Sequence, residues 1–186
     1  MPRRGNNSMN HEVRLTGSGG QGLILAGIIL ADAGIRDGMN VVQTQSYGPE
    51  ARGGASKAEV ILGNEEIDYP KIKNPEIVLA MTQEACDKYA LTLKENGVLI
   101  VDSTFVKDIP ETKAKVYSLP ISQLAKEKTG KELVANIVAV GAIVGITKLV
   151  SREALEEAVM NHIPKGTEKL NRQALEIGLE AAIAEI

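Results

Sequence analysis

The sequence predicts an α/β fold with a mostly parallel sheet and a helical C-terminal third. Strand-like and helix-like segments alternate over residues 12–128, which is the pattern of strands joined by helical crossovers. From residue 134 onward, only helical segments follow one another. A length of 186 residues suits one domain. Residues 11–186 are therefore expected to form a single α/β domain after a disordered extension at residues 1–10.

The first half of the chain contains three predicted strands and one helix. Residues 12–16 alternate into a short strand, which a glycine-rich stretch at residues 17–22 follows. Residues 23–33 are apolar on every face, which predicts a helix buried between the sheet and another layer or subunit. Residues 40–45 form the second predicted strand, and the alternation of charged and apolar residues at 57–62 predicts a third, half-exposed strand.

The second half begins with a buried strand at residues 76–81, an apolar run of the kind found in parallel sheets. Thr82 is expected to cap the helix that follows, which extends to about Leu93. The remaining predicted elements are strands at residues 98–102 and 115–118, a helix at residues 121–128 that Gly130 ends, an apolar helix at residues 136–149, and two amphipathic helices capped by Ser151 and Thr167. The apolar helix is expected to be buried on most sides, with another subunit as one candidate neighbour.

Composition excludes several classes of protein. The net charge of −3, the lack of a dense Lys/Arg run and an aromatic content of 3% argue against nucleic-acid binding. The apolar runs at residues 23–31 and 137–146 are too short to span a membrane, and no secretory signal is present, so a cytoplasmic protein is expected. Cys86 is the only cysteine, and neither His11 nor His162 stands in a metal-ligand spacing. No metal site within this chain is expected.

A glycine-rich segment, here called the glycine loop, comprises Gly17, Ser18, Gly19, Gly20, Gln21 and Gly22. Its G-x-G-x-x-G spacing between a strand and a helix favours a bound anion, and phosphate is the natural candidate. Dinucleotide binding would require an acidic residue at the end of the second strand, which instead ends in Gln45, while Asp37 lies in the turn before that strand. Alternatively, the glycines only allow tight packing of strand and helix.

A second segment, here called the charged loop, comprises residues 47–54, and its candidate site residues are Tyr47, Gly48, Pro49, Glu50, Arg52, Gly53 and Gly54. Pro49 fixes its own φ, and the glycines allow close approach of the backbone. Glu50 and Arg52 place opposite charges where a strand ends, a usual position for binding groups in α/β proteins. The alternative is a tight turn held by an internal ion pair between Glu50 and Arg52.

Residues for autonomous catalysis are missing from the sequence. Two histidines and one cysteine do not assemble into a convincing Ser-His-Asp or Cys-His set. Cys86 is expected to pack inside its helix, and Asp102 and Ser103 are expected to cap a turn or helix at a strand end rather than to react. The chain is therefore expected to hold no catalytic residue alone and to lend loops to a site built with other chains.

Three segments together resemble the gamma subunit of the 2-oxoacid:ferredoxin oxidoreductases over residues 12 to about 150: Leu-Thr-Gly-Ser-Gly-Gly-Gln-Gly at 15–22, the stretch at 45–62, and Glu-Glu-Ile-Asp-Tyr-Pro at 65–70. Gly-Pro-Glu-x-Arg-Gly-Gly in the charged loop is the most specific of these motifs. Ser-Tyr before it and Ala-Ser after it are most similar to the 2-oxoglutarate branch. The pyruvate, ketoisovalerate and indolepyruvate enzymes remain alternatives.

The resemblance implies a Rossmann-like three-layer domain in a multi-subunit enzyme. Thiamine diphosphate, Mg and iron–sulfur clusters would lie in alpha, beta and delta type partner subunits, with coenzyme A as co-substrate and ferredoxin as electron acceptor. The charged loop, with Tyr47, Glu50 and Arg52, would face the partners near the acyl-transfer site, and Arg52 would meet a coenzyme A phosphate or a partner carboxylate. The isolated subunit is expected to self-associate through residues 136–149. A free-standing nucleotide-binding regulatory module that uses the glycine loop is the alternative of another class.

Overall fold

A six-stranded sheet organises the part of the chain that the computed structural model describes, residues 10–46 and 55–185. The strands are β1 (Asn10–Ser18), β2 (Asn40–Gln45), β3 (Ala55–Gly63), β4 (Ile77–Ala80), β5 (Val98–Asp102) and β6 (Lys115–Leu119). The helices are α1 (Leu23–Arg36), α2 (Gln83–Tyr89), α3 (Ile121–Thr129), α4 (Ala135–Thr147), α5 (Arg152–His162) and α6 (Glu168–Ala184), with 3-10 turns at Ala90–Thr92 and Glu132–Val134. The predicted α/β fold with a helical C-terminal third is confirmed.

The strand order is β2-β3-β1-β4-β5-β6. The neighbouring strands β1, β4, β5 and β6 are parallel, whereas β3 pairs antiparallel with both β1 and β2. Among the described strands, only β3 therefore runs against the others, and the prediction of a mostly parallel sheet is confirmed. Because β2 and β3 are antiparallel neighbours, the charged loop connects them at the same edge of the sheet where β1 ends.

Side-chain alternation on the central strands divides the core between the two faces of the sheet. Ile77 and Leu79 of β4 belong to a large apolar cluster with α1, α3, α4, α5 and α6, whereas Val78 and Ala80 belong to a smaller cluster with α2. Helices therefore cover both faces and give the predicted three layers. None of the described helices combines the length and apolar character that crossing a membrane requires.

Helix α4 is buried by its own chain, which corrects one expectation. All residues from Ala135 to Gly145 are buried, and α6 packs along the helix. The contact is close because Gly141 and Gly178 face the opposite backbone: a Cβ at Gly141 would lie 2.7 Å from the carbonyl oxygen of Leu175. The expectation that this helix contacts another subunit is wrong, because α6 already covers the surface that a second chain would need.

Strand β3 is also more deeply buried than predicted. Residues 58–63 are all buried, and Glu59 exposes 9% of its surface. The β1–β3 register places Arg14 opposite Glu59, with Arg14 Nε 3.7 Å from Glu59 Oε1, and Lys57 Nζ lies 3.0 Å from the same oxygen. The strand is present, but the prediction that it is half-exposed is wrong. The nearby cations of Arg14 and Lys57 allow the Glu59 carboxylate to be buried.

The helix ends agree with most of the predicted caps. Thr82 accepts a hydrogen bond from the Ala85 amide at 3.2 Å, and Ser151 accepts one from the Ala154 amide at 3.1 Å. Thr167 occupies the N-cap position of α6, but its side chain does not cap the helix; its hydroxyl donates to the carbonyl oxygen of Pro164. Gly130 ends α3 with a φ of 76°.

Candidate functional site

The two segments predicted to form a site are anchored side by side. In the β1–β3 register, Gly17 lies opposite Ser56 and Ser18 lies opposite Ala55. The Ser46 amide donates to the carbonyl oxygen of Lys57 at 3.1 Å, so Ser46 and Ala55, the described residues on either side of the charged loop, lie at the edge of the sheet where the glycine loop starts. The structure therefore brings the bases of both predicted segments to one edge of the sheet. The residues of the charged loop, Tyr47, Gly48, Pro49, Glu50, Arg52, Gly53 and Gly54, lie outside the described residues.

Gln21 holds the glycine loop closed. Its Oε1 accepts a hydrogen bond from the Ser18 amide at 2.7 Å, and its Nε2 donates to the carbonyl oxygen of Met81 at 3.4 Å. Gly17 makes room for this arrangement, since a Cβ there would overlap Gln21 Oε1. The side chain therefore links the end of β1 to the residue after β4, which gives Gly17 and Gln21 a structural role.

Gly22 is the N-cap residue of α1 and connects the glycine loop to α4. Its φ of 72° lies in the left-handed region, and a Cβ would lie 2.5 Å from Asn136 Nδ2. Asn136 Nδ2 donates to the carbonyl oxygen of Gly22 at 3.2 Å. No side chain caps α1 and no acidic residue lies in its first turn. The backbone N–H groups there keep the donor character that an anion requires.

A cleft of about 260 Å³ lies beside the glycine loop. Its lining residues are Gly20, Gln21, Ser122, Glu132, Leu133 and Ala135. It shares Ser122 and Glu132 with a second cleft of about 480 Å³ that Thr104 and Phe105 also line. Gly20 borders open space, because no heavy atom lies within 4 Å of a Cβ built there. A ligand can therefore approach the loop from this side.

Glu132 and Leu133 line this cleft but could not be singled out from the sequence. Both lie in the 3-10 turn Glu132–Val134, which is too short to show a periodic pattern. Leu133 is 79% exposed. Their proximity to the glycine loop depends on how α3 and α4 pack, which local sequence does not encode.

Asp102 is a structural cap. The carboxylate is fully buried and accepts hydrogen bonds from Ser122 Oγ at 2.6 Å, the Ser122 amide at 3.2 Å and the Thr104 amide at 3.0 Å. The Ser103 amide donates to the carbonyl oxygen of Leu119. The expected role of Asp102 as a cap is confirmed, and its hydrogen bonds fix the wall of the cleft by joining the end of β5 to the first turn of α3.

A buried ionic network lies under the base of the charged loop on the α2 side of the sheet. Besides its contact with Glu59, Arg14 donates to Thr92 Oγ1 at 3.0 Å and to the carbonyl oxygen of Ile72 at 2.9 Å. Its guanidinium carbon lies 5.3 Å from the centre of the Tyr89 ring, a cation–π distance. Lys57 follows the charged loop by three residues, so the network ties the start of β3 to β1 and α2.

The remaining candidates occupy structural positions. Asp37 accepts hydrogen bonds from Ser151 Oγ at 2.7 Å and the Ser151 amide at 2.6 Å, far from the end of β2 where a ribose ligand would lie. His11 pairs with Glu76, and His162, the last residue of α5, pairs with Asp32. No group of three His, Cys, Asp or Glu side chains among residues 10–46 and 55–185 could hold a metal ion.

Comparison with known proteins identifies the family. A family model described as pyruvate ferredoxin/flavodoxin oxidoreductase matches residues 12–181. The chain belongs to this family. The ferredoxin oxidoreductase membership that the charged loop and glycine loop indicated is thereby confirmed.

Two relatives within the oxidoreductase family match almost end to end. The 2-oxoglutarate synthase subunit KorC of Methanocaldococcus jannaschii is 47% identical over 177 residues, which cover 94% of this chain and 95% of that protein. The gamma subunit of a keto/oxoacid ferredoxin oxidoreductase from Geobacter sulfurreducens is 50% identical, with a TM-score of 0.86 and coverage of 94% of this chain and 99% of that one.

A more distant structure shows the same fold inside a longer chain. The 2-oxoglutarate:ferredoxin oxidoreductase of Magnetococcus marinus, solved with 2-oxoglutarate, coenzyme A and succinyl-CoA bound, is 24% identical with a TM-score of 0.84. The match covers 96% of this chain and 32% of that one. At this identity the likeness concerns the fold alone.

Proposed function

We propose that the chain is the gamma-type subunit of a 2-oxoglutarate:ferredoxin oxidoreductase. The complex would decarboxylate 2-oxoglutarate oxidatively to succinyl-CoA while it reduces ferredoxin. The observation that carries this proposal is the 47% identity with KorC over nearly the full length of both chains. Gamma-type subunits for pyruvate, ketoisovalerate or indolepyruvate are the alternatives within the family.

The redox cofactors are assigned to partner subunits. Oxidative decarboxylation calls for thiamine diphosphate with Mg as the electron sink and for iron–sulfur clusters as one-electron carriers, and a cluster needs about four cysteine ligands. Cys86 is the single cysteine in the sequence and is fully buried in the smaller core cluster. These groups would therefore be held by alpha, beta and delta type subunits. The chain would act with these subunits in the cytoplasm, and ferredoxin would bind the complex.

The charged loop and the glycine loop would bind and orient an anionic group of coenzyme A or of a partner subunit. Bond breaking would occur on thiamine diphosphate. The register of Ser18 opposite Ala55 supports a shared site, because it anchors both loops at one edge of the sheet. Arg52 would bind an anion, either a coenzyme A phosphate or a partner carboxylate, since its guanidinium can donate two parallel hydrogen bonds. The uncapped start of α1 would provide backbone donors for a phosphate at the glycine loop.

Purification of the tagged chain from its native cells tests the assignment. The chain is expected to bring down subunits that contain thiamine diphosphate and iron–sulfur clusters. The complex is expected to reduce ferredoxin faster with 2-oxoglutarate than with pyruvate, 2-oxoisovalerate or indolepyruvate, and the isolated chain should be inactive. Recovery of a single soluble chain that binds a nucleotide tightly would instead support the regulatory module.

Arg52→Ala tests the charged loop in the assembled complex. Loss of a charge-assisted, bidentate contact costs about 1.5–3 kcal/mol, so the apparent affinity for coenzyme A or the stability of the complex should fall about 10-fold to 100-fold. Arg172→Ala, at an exposed position of α6, is the matched control. Unchanged turnover, coenzyme A affinity and assembly would rule out this role for Arg52.

Substitutions at Gly20 distinguish a glycine loop that binds phosphate from one that has only a structural role. Gly20 has a φ of 87° and open space around it, and Asp and Asn tolerate left-handed backbone better than most residues. Gly20→Asp places a negative charge near the start of α1, whereas Gly20→Asn has the same shape without the charge. If the loop binds a phosphate of coenzyme A, the KM for coenzyme A should rise at least tenfold more in Gly20→Asp. Equal effects of both substitutions would assign the loop a structural role.

A further inference from the structure

One flank of the domain combines an open sheet edge with an apolar stripe on the neighbouring helix. Strand β2 stands first in the strand order, and β3 is its only partner strand among the described residues. The stretch from residue 38 to residue 46 has no charged residue and no proline. Natural proteins usually protect an edge strand with lysine, proline or an inward-pointing charge. Strand β2 lacks these protections, so it is suited to pairing.

The backbone of β2 has groups that point away from the sheet. The Ser46 amide donates to β3, and in an antiparallel pair the residues that face the partner alternate. The N–H and C=O groups of Val41 and Gln43 therefore point outward. Thr44 is exposed and Val42 is half-buried on the face of the sheet opposite α1. A further strand can add here without displacing a contact of the described residues.

Helix α1 presents an apolar stripe along the same flank. Ile24, Ile28 and Ile35 are four and seven residues apart, so they share one side of the helix. Ile35 is 61% exposed, Ile24 and Ile28 are half-buried, and none of them belongs to the core clusters. On the opposite side of α1, Ile29 and Ala33 are fully buried.

The stripe lies above the open edge. A Cβ at Gly27 would contact Ala58 of β3 and approach Gln43 of β2, and one at Gly34 would contact Leu62 and Val41, so the glycine side of α1 faces these two strands. The isoleucine stripe lies about a quarter turn around the helix from these glycines. The helix and the strand edge therefore form one continuous surface.

We propose that this surface binds a second copy of the chain through antiparallel pairing of β2 with β2 of the copy. In a pairing centred on Gln43, Val42 of one copy lies opposite Thr44 of the other, a β-branched pair that suits a strand interface. Because the edge is uncharged, the two-fold symmetry brings no like charges together. With strands about 4.8 Å apart, α1 above β2 and β3 would lie about 10 Å from its symmetry mate, which is a normal helix packing distance.

This pairing goes beyond the proposed function and does not depend on it. The expectation of self-association is kept, but the interface moves from α4, which α6 covers, to β2 and α1. A continuous twelve-stranded sheet would result from joining two six-stranded sheets. The stripe would be covered by its own symmetry mate, which would give a packing partner to an apolar helix face that belongs to neither core cluster of residues 10–46 and 55–185.

The mass of the full-length isolated chain tests the proposal by sedimentation equilibrium. The wild type should have twice the monomer mass of 19.8 kDa at micromolar concentration. Thr44→Lys and Ile28→Lys should each raise the dimer Kd at least tenfold, because a lysine would be placed in the strand pair or the helix contact. Ile183→Lys is the matched control, since Ile183 is 68% exposed on α6, and it should leave the Kd unchanged.

Circular dichroism establishes whether each variant keeps the fold, and Thr44 is exposed, so at least that variant should retain it. A monomeric wild type would overturn the proposal, and so would a dimer that survives both Thr44→Lys and Ile28→Lys. Equal weakening by Ile183→Lys would also overturn it. A monomer that assembles through the β2 edge only with another subunit would assign the surface to that partner instead.

Discussion

Cys86 is a buried thiol whose ionisation should couple to folding. Its side chain is fully buried, and burial, with a smaller contribution from the charge of Asp87, raises the thiol pKa above its ordinary value of 9.0. The unfolded thiol ionises near pH 9, while the folded thiol keeps its proton to higher pH. The stability that this difference contributes is complete below about pH 9 and is lost as pH rises through the folded pKa.

Comparison with Cys86→Ala isolates this effect. The difference in unfolding free energy between wild type and Cys86→Ala should be constant from about pH 7 to 8 and should shrink as the pH rises above about 9, as measured by urea denaturation. Alanine does not titrate, so other groups cancel in the difference. A difference that stays constant across this range would contradict the predicted linkage.

Removing only one charge of the buried Arg14–Glu59 ion pair should lower the unfolding free energy substantially. Removing one partner of a buried ion pair costs about 3–5 kcal/mol because the other charge is left uncompensated. Glu59→Gln should lower the unfolding free energy by about 3 kcal/mol. This is the low end of that range, because Arg14 keeps its hydrogen bonds to Thr92 and Ile72. Urea denaturation measures the change.

Two further variants test the physical reason for that loss. The double variant Arg14→Met with Glu59→Leu removes both charges and should be more stable than Glu59→Gln. Glu95→Gln breaks the exposed pair with Lys113 and should cost less than about 1 kcal/mol. If Glu59→Gln lowers the unfolding free energy as little as Glu95→Gln does, an uncompensated buried charge is not what destabilises Glu59→Gln.

At the scale of elements, the contact between α4 and α6 depends on glycine. A methyl group at Gly178 would overlap the carbonyl oxygen of Val138, so Gly178→Ala must push the helices apart. Overpacking of this kind costs about 1–3 kcal/mol, and the better helix propensity of alanine offsets about 1 kcal/mol of it. A lower Tm is expected from thermal unfolding.

Glu180→Ala is the matched control for Gly178→Ala. Glu180 is exposed two residues further along α6, so the same introduced side chain gains helix propensity without meeting α4. Its Tm should be unchanged or slightly higher. Similar Tm values for both variants would mean that the two helices separate without cost.

Strand and helix positions followed from local sequence where one physical signal dominated. Strands β2 and β5 have the predicted bounds because each contains three β-branched residues and follows a turn that contains glycine. The burial of β3 could not be predicted, because it requires Arg14 from another strand in register with Glu59. The element that packs against α4 could not be predicted either. Uniform apolarity shows that a helix is buried but does not show which element covers it.

At the scale of the whole molecule, the sequence located both loops of the candidate site but not their spatial relation. The glycine loop was recognised from its spacing, and the charged loop from its proline, glycines and charges. Their proximity depends on β3 returning antiparallel between β2 and β1, a long-range pairing. The cleft beside Leu133 depends on helix packing in the same way. Local patterns therefore found the parts, and topology assembled them.

The two core clusters should unfold together because the same strands form both. Leu99 and Val101 of β5 belong to the smaller cluster, while Ile100 between them belongs to the larger one. Leu175→Ala removes a buried side chain from the larger cluster and should cost about 2–5 kcal/mol. If the faces are coupled, the variant should shift pulsed thiol labelling of Cys86 and loss of helical circular dichroism to the same lower urea concentration. Lys113→Ala, at an exposed position, should shift neither signal. Labelling of Cys86 that stays at the wild-type midpoint in Leu175→Ala would show instead that the α2 side of the sheet opens independently.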